Sequence, residues 1–343
     1  QGYLASLGNE TEAIGYLRKG VEFYPRSALL NYLLGNVYLR ARETEPAVAS
    51  FQAALRLAPD FTGAEIALAG ARGRQRGGFG ESREALRAIL RRAPTQAKAL
   101  IELARLEMTS QGDSASAKAA AQEIVEKSPN NAARGQIAWA HLLLAQIAGR
   151  DNQPTEMARA LAAAVASAPC CDPEFHFELA GELHTMFRYK EAATQMRAAL
   201  AIRGDDPAYL YRLARILLDD AKPRAALVVL HNAPPRHAET RLLAGRSALA
   251  LDETDKALGL LKQALEENKQ SIDAEIYLAL ATARQGQTAT AVSQLQRLAT
   301  THPRRHDILL ALATVFFEAG HLAKAEEALQ HAKRINAADP NVL

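Results

Sequence analysis

The sequence has very few residues of the kinds that cross-link chains or bind metals. Its only two cysteines, Cys170 and Cys171, are adjacent and cannot join distant parts of the chain to each other. The CxxC and HExxH spacings that are typical of metal sites are missing. We expect an ordinary turn at the cysteines, with no metal and no cofactor. The alternatives are a metal site with the nearby His176 and His184, or a vicinal disulfide that acts as a redox switch.

Catalytic motifs and long apolar segments are missing as well. The sequence contains no GxSxG, no GxxxxGK[ST] loop and no glycine-rich strand-to-helix turn. Its longest apolar stretches, such as 138–145, include His141 and are far shorter than the ~20 residues of a membrane span. The first residues do not form a charged segment followed by an apolar core, so they do not resemble a signal peptide. We therefore expect a soluble, non-catalytic chain, and the compartment stays open between cytoplasm and periplasm.

Aromatic residues and net charge are also low. Only 6% of the residues are aromatic, and 41 basic against 38 acidic residues leave a net charge of +3. A chain with so little net charge is not a general polyanion binder. The sequence is instead rich in Ala, Leu, Arg, Glu and Gln, which favour helices, and its prolines and glycines fall mostly between apolar stretches. This composition predicts short helices joined by tight turns.

One spacing of apolar and small residues recurs along the chain. Leu34-Gly35 is followed by Ala47, Phe51, Ala54 and Pro59, at offsets of 12, 4, 3 and 5 residues counted from the glycine. The same register begins again at five further positions, which are Leu179-Ala180, Leu213-Ala214, Ala244-Gly245, Leu278-Ala279 and Leu312-Ala313. Self-similarity at a fixed period is the sequence signature of a repeat protein.

These residues resemble the tetratricopeptide repeat family, whose pattern of Leu-Gly, Tyr, Ala, Phe, Ala and Pro extends over about 34 residues. The resemblance implies an all-α, right-handed superhelical solenoid of antiparallel helix pairs. It also implies that the small Gly35 lets two helices approach closely and that Phe51 fills the space between them. The pentatricopeptide repeat, an RNA reader, is the rival interpretation, but the Ala/Phe/Ala/Pro spacing fits the tetratricopeptide form better.

The register divides the chain into about ten units within a single solenoid of residues 1–343. The predicted units are 1–27 (incomplete), 28–62, 63–97, 98–132, 133–172, 173–206, 207–237, 238–271, 272–305 and 306–340. The first unit lacks most of its first helix, and the last stops close to the end of the chain. We therefore expect this chain to be part of a longer protein.

The family resemblance implies that the first helix of each unit lines a concave groove. Its usual contact positions fall on Tyr32, Asn36, Arg40, Phe177, His184, Tyr211, Arg215, Leu242, Arg246, Ile276, Arg284 and Phe317. Arginines beside apolar residues suit a protein or peptide that carries acidic and apolar side chains. We therefore expect a protein-interaction scaffold or adaptor that holds a partner segment. The alternative is that Arg215, Arg246 and Arg284 pair with local acids such as Asp219, Asp220 and Glu239, or simply face solvent.

A second candidate site is the densest basic stretch, between Arg72 and Arg92. Arg72, Arg74 and Arg76 lie in a glycine-rich turn that suits a phosphate backbone or an anionic surface. Nucleic acid is not the expected partner, because Phe79 is the only aromatic residue nearby. Binding of nucleic acid or an anionic surface here, or a structural and oligomerisation role, remain the alternatives, and the oligomeric state stays open.

Overall fold

The computed structural model describes residues 10–94, 96–109, 113–127, 134–169, 172–204, 206–233 and 237–335. Across these ranges it contains helices and turns and no strand, which confirms the all-α prediction. The helices are α1 Glu10–Phe23, α2 Ala28–Arg40, α3 Thr44–Leu57, α4 Thr62–Gly73, α5 Phe79–Arg92, α6 Ala97–Glu107, α7 Ser114–Lys127, α8 Arg134–Arg150, α9 Pro154–Ala166, α10 Pro173–Thr185, α11 Tyr189–Arg203, α12 Pro207–Asp219, α13 Pro223–Leu230, α14 Ala238–Ala250, α15 Thr254–Glu267, α16 Ile272–Arg284, α17 Thr288–Thr301, α18 His306–Glu318 and α19 Leu322–Ile335.

The chain forms two compact bodies. The N-terminal body comprises residues 1–186 and 194–206, and the C-terminal body comprises residues 187–193 and 207–343. Within each body the helices contact mainly their neighbours in sequence, as expected of stacked helix pairs. The first helix of a pair also contacts the first helix of the next pair. These helices form one row in each body, α2, α4, α6, α8 and α10 in the N-terminal body and α12, α14, α16 and α18 in the C-terminal body. That all ten predicted units form a single solenoid stays a prediction.

Most of the first helices end in the same left-handed turn. In seven pairs the residue two positions after the first helix has a positive φ, and only two of these residues are glycines. In six of these pairs the next backbone N–H bonds back to a carbonyl of the last turn, as from Glu43 to Tyr38 at 2.9 Å and from Lys222 to Leu217 at 2.8 Å. This bond is the Schellman C-cap, which satisfies carbonyl groups that a helix end leaves unpaired. The residues in this turn are Arg42, Asn152, Phe187, Ala221, Asp252, Gly286 and Gly320.

Small residues let the two helices of a pair approach closely. A methyl group added at Gly35 would lie 2.5 Å from Cε1 of Phe51, whose side chain is fully buried. At the equivalent position of a later pair, a methyl group on Gly245 would lie 2.8 Å from Cγ of Leu261. The close approach that the family resemblance implied is therefore present in both bodies.

Replacing Gly245 by alanine should destabilise the C-terminal body. The buried Leu261 would have to move, and overpacking of this kind costs about 1–3 kcal/mol. Gly259 provides the matched control, because it also lies inside a helix but an added methyl group would have no neighbour within 4 Å. Gly259→Ala should therefore stabilise helix α15, by at most about 1 kcal/mol. Urea unfolding followed by circular dichroism compares the two variants, and equal stabilities would contradict the packing described here.

Candidate functional site

The N-terminal body contains a groove that is lined mainly by the first helices. Side chains of α2, α4, α6, α8 and α10, together with Arg74 just after α4 and Asp172 just before α10, enclose a volume of about 420 Å³. We call it the N-terminal groove. It includes the predicted groove residues Tyr32 and Asn36, and it also includes Arg74 from the predicted anion-binding turn. The row of first helices thus provides a continuous lining from five successive pairs.

Packed aromatic rings hold Tyr32 at one end of the N-terminal groove. The Tyr32 ring centroid lies 4.9 Å from that of Phe61 and 6.0 Å from that of Phe51, both in tilted arrangements. Ring contacts of this kind add to the energy of simple area burial. Tyr32 therefore lies in the groove on top of the buried core of its own pair.

Trp139 of α8 is held in the same groove by three different contacts. The Arg105 guanidinium lies 4.1 Å from the Trp139 ring centroid, within the range of a cation–π interaction. The indole Nε1–H donates to Oδ2 of Asp172 at 2.9 Å, and the ring packs edge-on against Phe175 at 5.3 Å. Asp172 also caps α10 by accepting the backbone N–H of Phe175 at 3.1 Å. Trp139 consequently has a fixed orientation and links α6, α8 and α10.

Charged groups are distributed unevenly along the N-terminal groove. Arg105 donates to Glu102 at 3.1 Å, and Gly70 makes room for this carboxylate, because a methyl group there would lie 2.8 Å from Oε2 of Glu102. Arg74 and Lys98 are exposed, and the described part of the chain provides no ion pair for either of them. The exposed carboxylate of Glu174 lies on α10. The groove is therefore cationic along α4 and α6 and acidic at α10.

In the C-terminal body, the predicted groove arginines pair with acids of neighbouring repeats. Arg215 lies 2.5 Å from Glu239, and Arg246 lies 2.8 Å from Asp219 and 4.5 Å from the Tyr277 ring centroid. These are pairings that the sequence analysis weighed as the alternative. They connect successive first helices, so part of the charge is neutralised within the chain.

Arg284 likewise has partners on both sides. It donates to the Leu249 carbonyl at 2.7 Å, to Asp252 at 3.2 Å and to Glu318 at 3.3 Å. A role of Arg215, Arg246 and Arg284 in binding a partner stays a prediction.

Two predicted contact residues are core residues, which corrects the sequence analysis. Leu242 and Ile276 are 3% and 4% exposed and pack into the apolar clusters between their own and neighbouring helices. Both side chains face the interfaces between helices, so they are not available to a partner in this structure. Phe317 is 67% exposed.

Four other predicted contact residues are partly buried. Tyr211 accepts a hydrogen bond from Thr240 at 3.1 Å through its hydroxyl. Arg40, Phe177 and His184 are also partly buried and have interactions within the chain. Their contact with a partner stays a prediction.

The basic stretch between Arg72 and Arg92 is partly neutralised. Arg83, Arg91 and Arg92 pair with Glu107, Glu84 and Glu65 at 2.6, 3.4 and 2.8 Å. Arg72, Arg74 and Arg76 have no ion pair with any residue that the structure describes. Of these three, Arg74 lines the N-terminal groove.

The histidines near the cysteine pair do not form a metal site in the described residues. Cys170 and Cys171 lie outside those residues, among which no group of three or more His, Cys, Asp or Glu side chains is arranged to hold a metal. His176 is buried, with Nδ1 at 2.7 Å from Oε1 of Gln195 and Nε2 at 2.9 Å from the Pro169 carbonyl. Packing and hydrogen bonding therefore account for His176. Within the same residues, each helix is too short or too polar to cross a membrane.

The helix pairs and the groove along their first helices define a helical-repeat protein, and the comparisons name the family. Two profiles described as tetratricopeptide repeat match residues 3–60 and 70–132 and residues 282–343, together more than half of the chain. A profile described as anaphase-promoting complex, cyclosome, subunit 3 matches residues 185–264. The chain belongs to the tetratricopeptide repeat family. Proteins of this family generally mediate protein–protein interactions as non-catalytic scaffolds.

Several solved structures align with this chain. The tetratricopeptide repeat protein TTC0263 of Thermus thermophilus is 23% identical over 50% of this chain and 95% of its own, with a TM-score of 0.45. The human IFIT1 dimer with m7Gppp-AAAA is 16% identical over 96% of this chain and 78% of its own, with a TM-score of 0.50. YrrB, a tetratricopeptide repeat protein with an unusual peptide-binding site, is 18% identical over 50% and 90%, with a TM-score of 0.32. No curated protein sequence matches the chain significantly.

Proposed function

We propose that this chain is a non-catalytic interaction module that holds a peptide segment of a partner protein in the N-terminal groove. The observation that carries the proposal is the groove itself, in which five successive first helices bring exposed cations and fixed aromatic rings to one lining. The partner segment carries acidic side chains for Arg74 and Lys98 and apolar side chains for the surface beside Tyr32 and Trp139.

The charge distribution supports one orientation of the segment. Arg74 and Lys98 lie along α4 and α6, whereas the exposed Glu174 lies on α10. Arg105 and Glu102 satisfy each other between them. A segment therefore places its acidic residues along α4 and α6, and it brings no second carboxylate to α10, where Glu174 would repel it.

The proposal is tested by reversing the two exposed cations. A display library of random 12-residue peptides selects ligands of the wild-type chain, and fluorescence anisotropy measures their Kd. Arg74→Glu with Lys98→Glu should weaken the selected peptides about 10- to 100-fold. The reason is that hydrogen bonds to charged groups contribute about 1.5–3 kcal/mol, and every 1.4 kcal/mol corresponds to a tenfold change in Kd.

A variant with the same change in net charge serves as the control. Lys19→Glu with Arg56→Glu alters two exposed cations that do not line the groove, and it should leave the Kd within about twofold. If both double variants weaken binding equally, the peptides respond to the overall charge of the chain and not to the N-terminal groove. If selection yields no peptide above background, the proposed function is wrong.

A further inference from the structure

The N-terminal body contains a second concave site that shares no lining residue with the N-terminal groove. It lies among α7, α8 and α9 and encloses about 260 Å³. Because α7 and α9 are the second helices of successive pairs, we call it the second-helix cleft. Leu144 and Ile147 of α8 provide apolar lining, and the small Ala160 and Ala163 of α9 leave the space open. The cleft has room for one large apolar side chain.

The edge of the second-helix cleft is mostly cationic. Lys118 of α7 has no ion-pair partner among the residues that the structure describes. Arg159 of α9 is well exposed and lies 3.4 Å from Glu156, so this single pair is strongly screened by solvent. An anionic group at the cleft would therefore find favourable charges on both α7 and α9.

His141 of α8 lines the same cleft. Its ring is partly buried, and no described residue forms a hydrogen bond with it. Burial lowers the pKa of His141 below its ordinary value, so the imidazole is neutral at pH 7. A neutral imidazole offers one hydrogen-bond donor and one acceptor. The ring can therefore bind a polar group that enters the cleft beside the apolar lining.

We propose that the second-helix cleft is a separate docking site for a partner segment that presents one large apolar side chain next to a carboxylate. The apolar side chain fills the space beside Ile147 and Ala160, and the carboxylate meets Lys118 and His141. The enclosed volume is below the roughly 300–1,000 Å³ of sites that enclose a drug-sized ligand, which favours a single anchoring side chain. The unpaired Lys118 favours an acidic segment over a basic one.

The arrangement predicts a pH dependence with a definite sign. The charged groups that line the cleft with His141 are Lys118 from α7 and Glu156 and Arg159 from α9. As the pH falls, His141 becomes protonated and adds a cation at the carboxylate. Affinity should therefore rise as the pH falls below 6.5, the ordinary pKa of histidine, towards about pH 5, where carboxylates with an ordinary pKa of about 4 are still mostly ionised.

A counter-selection tests this site directly. Random 12-residue peptides are selected on the wild-type chain, and those that also bind the Ala160→Trp variant, in which the new ring fills the cleft, are then removed. The remaining peptides should share an apolar residue near an acidic one, and they should bind Ala160→Trp at least tenfold more weakly than the wild type. Ala162→Trp is the matched control, because Ala162 is exposed on the same helix outside the cleft. This variant should therefore bind the peptides as the wild type does.

Two further measurements separate this site from the N-terminal groove and from a general effect of pH. The Arg74→Glu, Lys98→Glu variant should bind the cleft peptides unchanged, and His141→Asn should abolish the rise in affinity. We expect that rise to be about three- to tenfold, because a hydrogen bond to a charged group is stronger than one between neutral groups. Circular dichroism checks that each variant is folded. The proposal would be overturned if the peptides bound Ala160→Trp and Ala162→Trp equally well. It would also be overturned if the selected peptides shared a basic motif.

Discussion

Replacing Phe51 by alanine should lower the free energy of unfolding of the N-terminal body by about 3–5 kcal/mol. The Phe51 side chain is fully buried, and it fills the space that Gly35 leaves between α2 and α3. It also packs against the ring of Tyr32 at 6.0 Å. The truncation removes transfer free energy and leaves a cavity that the helices cannot close, because Ala47 and Ala71 beside it are themselves fully buried and small.

The measurement uses the single tryptophan of the chain. Trp139 lies in the N-terminal body, so its fluorescence during urea unfolding reports on that body. Phe23→Ala is the control, because this ring is 79% exposed and its loss should change stability by no more than about 0.5 kcal/mol. If Phe51→Ala unfolds at the same urea concentration as Phe23→Ala, the packing described between α2 and α3 is wrong.

A loss of similar size is expected when Arg83 is replaced by alanine. Its partner Glu107 is 0% exposed, and its two carboxylate oxygens accept Nε–H of Arg83 at 2.6 Å and the backbone N–H of Asp113 at 3.0 Å. Arg87 lies farther away, with Nη2 at 3.9 Å. Removing one partner of a buried ion pair leaves an uncompensated charge and costs about 3–5 kcal/mol. We expect the lower part of this range, because Arg87 remains near the carboxylate.

Arg91→Ala is the matched control for this prediction. Arg91 lies on the same helix and pairs with Glu84 at 3.4 Å, but both side chains are well exposed. Exposed pairs contribute about 0–1 kcal/mol. Urea unfolding of the two variants should therefore differ by about 2 kcal/mol or more. Arg83→Ala with Glu107→Met should recover part of the loss, because it removes the buried charge together with its partner. Failure of this recovery would show that Glu107 is not the cause.

Much of the fold was predictable from the spacing of small and apolar residues. Gly35 stands where a small residue lets two helices approach closely, and Phe51 stands where a large residue fills the space between them. The recurrence of these two positions along the chain therefore identified the helix pairs. The shared left-handed turn was not predicted, because Arg42, Ala221 and Asp252 occupy positions where glycine is the usual signal. The cap hydrogen bonds hold these residues in the turn.

The candidate site was predictable only in part. Tyr32 and Asn36 were predicted for a concave groove and line the N-terminal groove. Trp139 and Lys98 were missed, because both lie between Pro59 and Leu179, where the recurring spacing was not found. The only signal that could have found Trp139 was its being the single tryptophan of the sequence.

By itself, the sequence determined that this protein is an array of helix pairs, because the recurrent spacing is a local property of each pair. It also predicted which helices line the concave surface, through the family that the spacing resembles. Only the tertiary structure decided which charges remain available. Arg246 and Arg74 both read as candidate binding residues, yet Arg246 pairs with Asp219 of the preceding repeat, and Arg74 has no ion pair among the described residues. The distance between two side chains on neighbouring helices depends on how the helix pairs stack, and the spacing of residues along the chain does not determine that distance.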